Sequence, residues 1–166
     1  MNESLHAFPP EWHALLHQVP VVPLDAGQPV VALRDALLAW DQSLRAERKF
    51  DACRAGLWLA FNFLDESHTI SQDLDTPTGS YWHALMHRRE GDFSNAKYWF
   101  HRVGKHPVAE LLQPEAEQLG WARWNHDAFV DLCQANINPG RPRHAECCEI
   151  QFREWQRLFT WCATHV

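Results

Sequence analysis

At 166 residues the chain has the length of one ordinary domain, long enough for a single substantial core. An apolar fraction of 46% with nine tryptophans excludes a disordered tail, and a formal charge of −6 speaks against a general nucleic-acid binder. The opening residues MNESLHAFPPEW lack the basic-then-apolar pattern expected of a signal peptide, the longest run without charge or histidine (residues 55–64) is about half a membrane crossing, and five cysteines without a CxxC pair suit a reducing, cytoplasmic setting.

Taken in chain order, Pro9-Pro10 precede a short helix over residues 11–19, with Trp12, Leu15, Leu16 and Val19 at helical spacing and Pro20 as its stop. Residues 20–29 are proline-rich and read as an extended connector. Together these 29 residues form a peripheral N-terminal segment, and the core spans about 30–165 of a single domain covering 1–166. From Val30 to about Glu47, Leu33, Leu37, Trp40 and Leu44 form an i, i+4, i+7, i+11 stripe, which predicts an amphipathic helix. The next helix begins near Phe50, and its Ala55–Leu64 portion is apolar nearly all round. Such a helix belongs at the centre of the domain, with Asn62 as its one strong polar group.

Asp65-Glu66-Ser67-His68 ends that helix, and about a dozen residues without periodicity follow as a long loop. Ser80 is the expected N-cap of a helix over 81–90, broken at Gly91. Asp92 caps a second helix from Phe93 to Val103, and Gly104 and Pro107 close the unit. Shorter pieces follow at 108–113 and 114–119, then a helix at 127–135 and a turn at 136–142. In the last helix, about 144–165, Cys148, Phe152, Trp155, Phe159 and Cys162 alternate steps of four and three. No alternating strand pattern occurs. The expected fold is an all-α multi-helix bundle.

Chemistry concentrates between Tyr81 and His106. On a helix His83, His87 and Glu90 share a stripe at i, i+4 and i+7. If the central helix packs antiparallel to this one, Glu66 and His68 face the His83 end. His68, His83, His87 and Glu66 then form a candidate site for Zn²⁺, Fe²⁺ or Mn²⁺, with an open position for hydrolytic or oxidative chemistry. The pattern lacks the Glu beside the first His of helical zinc proteases, since Ala84 stands there.

A metal-free version keeps His83 and His87 as general acid or base beside Glu66 and Arg88, with Asn62, Lys97 and Glu90 orienting a small anionic ligand. The plainest reading makes the two histidines interface residues bonded to Glu66, Asp65 or a carbonyl. Whether the protein is an enzyme stays open. A nucleic-acid surface at Tyr98-Trp99-Phe100 is disfavoured by the overall acidity and by Phe100, which belongs to the packing face. A further reading has residues 144–165 present Trp155 and Trp161 to a protein partner.

Residues Gly91–Val103 followed by Pro107 resemble the second half of a tetratricopeptide repeat, with a Gly-Asp-aromatic turn leading into residues at steps of four and three. That resemblance implies an alternative function, a non-enzymatic peptide- or protein-binding module. The longer string GSYWHALMHRREGDFSNAKYWFHRVGKHPV, with FLDESHTISQ before it and EWQRLFTWC after it, resembles a family of uncharacterised soluble bacterial proteins. It covers roughly residues 55–162 and implies a genuine domain but no activity.

Overall fold

The computed structural model describes residues 10–165; residues 1–9, Val166 and the side chains of Glu11, Trp12 and Lys49 lie outside the described set. The expected place of Trp12 on the first apolar stripe therefore falls outside it too. Ten α-helices and two 3₁₀ turns, and no strand, occur among the described residues. The helices are α1 (Pro10–Leu16), α2 (Arg34–Leu44), α3 (Asp51–Ala60), α4 (Leu64–Ser71) and α5 (Pro77–Glu90). They continue as α6 (Phe93–Val103), α7 (Pro107–Leu111), α8 (Gln113–Gln118), α9 (His126–Ala135) and α10 (His144–Thr164).

The middle of the bundle is made by α3, α5 and α10. Every residue of α3 from Ala55 to Ala60 is buried, as an all-round apolar sequence requires, and Cys53 and Arg54 are buried with them. Gly56 is where the three helices meet. A Cβ built on it would lie 2.6 Å from Cζ2 of Trp82 on α5, so only glycine admits that indole. The Gly56 carbonyl accepts the indole N–H of Trp155 on α10 at 2.8 Å. Trp82 is fully buried and Trp155 nearly so, each worth about 1.5–3 kcal/mol or more of transferred apolar surface.

The central helix is shorter than the sequence suggested, and the structure corrects the long loop after it. Asn62 adopts a left-handed backbone (φ 66°) and ends the run, because a short amide side chain tolerates that region. A separate two-turn helix, α4, then occupies Leu64–Ser71. Helix α5 starts four residues earlier than expected. Thr76, not Ser80, is its cap: the Thr76 hydroxyl accepts from the Gly79 amide, and Pro77 fills the first helical position.

The helical stretch expected from Val30 begins instead as a 3₁₀ turn over Val31–Leu33 before α2. The later boundaries fall close to expectation. Asp92 caps α6 through the Asn95 amide, and Gly91 provides the left-handed C-terminal residue of α5 at φ 89°. Helix α10 buries Cys148, Trp155, Phe159 and Cys162 as its period demands. Trp155 is thus core, and Trp161 is half-buried.

Two buried polar clusters lock the helices in register. Asp41 on α2, fully buried, accepts from Arg45, Arg54 and the Trp58 indole. Burial alone would raise its pKa, but these donors hold it below the ordinary carboxylate value. The second cluster is on α5, where Gly79 through Arg89 are all buried. Arg88 donates to Glu154 of α10 at 2.6 Å with both side chains fully buried, and Tyr81 donates to the other Glu154 oxygen at 3.0 Å. No described helix is long and apolar enough to cross a membrane.

Candidate metal centre

Helix α5 presents His83 and His87 one turn apart, and α4 brings His68 against them. One nitrogen from each of the three imidazoles lies within 4.8 Å of the other two. The His68 ring meets His83 and His87 edge-on, with centroids 4.6 and 5.4 Å away, while His83 and His87 stack at 4.7 Å. Three points so spaced share a centre within about 2.8 Å of each, and small side-chain rotations reach the 2.0–2.1 Å of a metal–imidazole bond.

Each ring is held by neighbours from α5 or α6. His87 Nδ1 lies 2.9 Å from Glu90 Oε2 one turn on, and its Nε2 lies 3.1 Å from the Asn95 amide nitrogen on α6. With Nδ1 donating to the carboxylate, Nε2 carries the lone pair; the Asn95 amide donates to it here and would turn aside for that lone pair to reach an ion. His83 stacks face to face on Trp99 at 4.0 Å, and the Arg102 guanidinium lies over that indole at 5.1 Å.

His83 is almost wholly buried, yet its Nδ1 has no hydrogen-bond partner. Burial, and then the charges of His87 and His68, push its pKa down to about 3. A neutral imidazole at physiological pH, with a lone pair and no donor beside it, is the state a metal ligand requires. His68 is half-buried and closes the cluster from the outer side.

The other residues singled out in the sequence lie elsewhere. Glu66 forms an ion pair with Arg34 of α2 at 2.8 Å and does not join the histidines. On a helix it stands two residues from His68, about 200° around the axis, so one of the pair must turn away. Arg88 is sealed in the core with Glu154 and cannot orient a ligand at the histidines. Asn62 donates to the Gln28 carbonyl and accepts from Arg89, a structural clasp between the connector and α3. Lys97 pairs with Asp131 of α9. Among the described residues Glu90 is the carboxylate that does reach the cluster, through His87.

Asn95 and Trp99 were not singled out as site residues, although their spacing could have shown them. Both sit on the α6 face that an α5–α6 hairpin turns toward His83 and His87. Two further histidines, His106 and His126, pack edge-on against Tyr81 and belong to a different part of the surface. No known protein family matches the chain, and no curated protein or solved structure matches it significantly.

Proposed function

We propose that this protein binds a divalent transition metal ion through His68, His83 and His87, with Glu90 holding His87 in the ligating tautomer. The observation that carries the reading is the three-imidazole cluster containing a buried His83 nitrogen without a partner. A carboxylate on Nδ1 of a ligating histidine is the usual outer support of such sites, and Glu90 occupies that position. An all-imidazole set suits Zn²⁺ better than Mn²⁺, which favours oxygen donors. The ion would supply a Lewis-acid centre whose fourth position takes water or substrate, the arrangement of catalytic three-histidine sites.

The small-anion reading loses its support at this cluster. Its cations, Arg88 and Lys97, are already paired with Glu154 and Asp131, and His83 is held neutral.

The test is titration of metal-free protein with Co²⁺, reading the visible absorption of the bound ion, followed by competition with Zn²⁺. One equivalent should bind, and His68→Ala should abolish the signal while leaving the far-ultraviolet spectrum intact. Glu90→Gln should weaken binding about 10–100-fold, the usual cost of losing an outer-shell partner. Absence of stoichiometric binding, or equal binding by His68→Ala, overturns the proposal.

A further inference from the structure

On the side of α5 away from the histidine cluster lies a cleft of about 550 Å³, bounded by the end of α6, by α7 and by residues 123–127. Tyr81, which backs it, stands two residues from His83 and so about 200° around the helix. Its walls are flat rings: Phe100, His106, Trp124 and His126 all line it. At its rim Lys105 and Arg123 are exposed and have no ionic partner among the described residues, while Asp127 is taken up by His101 at 2.9 Å. Glu110 is the other acid on the lining.

Hydrogen bonding determines what the walls offer. His106 Nδ1 accepts from the Val108 amide, so its Nε2–H is the donor to the Thr78 hydroxyl at 3.2 Å. Burial, and then the neighbouring His126, push its pKa down to about 4. His106 therefore presents a neutral ring with both nitrogens engaged. The Trp124 N–H is spent on His126 Nδ1 at 3.0 Å, leaving the indole face as a wall.

That same bond fixes His126 as the Nε2–H tautomer. Phe100 stacks on His126 at 4.4 Å, and the Nε2 is buried without a partner. Glu154, 3.7 Å from His126 Nδ1, is already held by Arg88 and Tyr81. The lining thus combines aromatic faces with two unpaired cations at the mouth, and the unsatisfied His126 N–H is buried behind it.

We propose that this cleft is a second ligand site, for a small planar carboxylate. Lys105 and Arg123 receive the carboxylate, and Trp124 and His106 flank the flat body. The volume suits such a molecule, since small-molecule sites run from about 300 to 1,000 Å³. The site does not depend on metal, so it stands or falls separately from the histidine cluster.

The probe is 4-hydroxybenzoate, planar and bearing one carboxylate, titrated calorimetrically into the full-length chain in the presence of chelator. Saturable one-to-one binding is expected, weakened at least tenfold in the double variant Lys105→Met/Arg123→Met. Both positions are exposed and unpaired, so the fold should survive the change. The uncharged 4-hydroxybenzamide and the non-planar cyclohexanecarboxylate should each bind at least tenfold more weakly than the probe. No saturable binding, unchanged affinity in the double variant, or equal affinity for cyclohexanecarboxylate overturns the proposal.

Discussion

His83 shows how one imidazole can carry both a cost and a use. Its pKa of about 3 in the folded protein lies below the ordinary 6.5, so between those values the unfolded chain binds a proton that the native one refuses. Stability contributed by the neutral ring is therefore complete above about pH 6.5 and is lost progressively as the pH falls toward 3. Urea midpoints measured in chelator from pH 7 to pH 4 should fall more steeply for the wild type than for His83→Phe, whose ring keeps the stack on Trp99. Arg88→Met should be more damaging than either, because Glu154 would then be a buried anion without its cation; about 3–5 kcal/mol is the expected loss, read by urea unfolding. The histidine pair was legible from its spacing. The burial of Arg88 was not, since its partner is 66 positions away in sequence. Glu66 misled because a loop would have let it join His68, whereas a helix separates them.

Among the elements, α3 and α5 are fitted to each other at one glycine. Gly56→Ala would force a methyl to 2.6 Å from a fully buried indole, and both helix backbones would have to part. The expected cost is about 1–3 kcal/mol, with Trp82 near-ultraviolet dichroism altered and helix content kept. Thr76→Ala should cost about 1 kcal/mol by removing the α5 cap, measured in the same unfolding assay. Helices α6 and α10 were readable almost to the residue, because Asp92 and Gly91 punctuate one and an unbroken four-three period marks the other. Helix α4 was not. Its two turns hold only Leu64 and Ile70 as large apolar side chains, so packing against α3 and α5, not local pattern, makes it a helix. The left-handed Asn62 that separates it from α3 is likewise set by a contact, the Arg89 hydrogen bond to its side chain.

At the scale of the whole molecule, a bound ion would couple α4 to the α5–α6 pair, and its binding energy would appear as folding stability. Zn²⁺ at a hundred times its dissociation constant should add about 2.7 kcal/mol and raise the midpoint of thermal unfolding by roughly 5–10 °C, an increment missing in His68→Ala. The buried end of α5 has a different consequence, one that concerns synthesis. Arg89 donates to the carbonyls of Asp25, Ala26 and Leu59, all made before it, whereas Arg88 waits for Glu154, made long after. On the ribosome the helix can therefore close its contacts with the connector and α3 while still carrying one stranded cation. Arg88 gains its buried partner only when Glu154 is also in place, so the seam between α5 and α10 can form only as a whole.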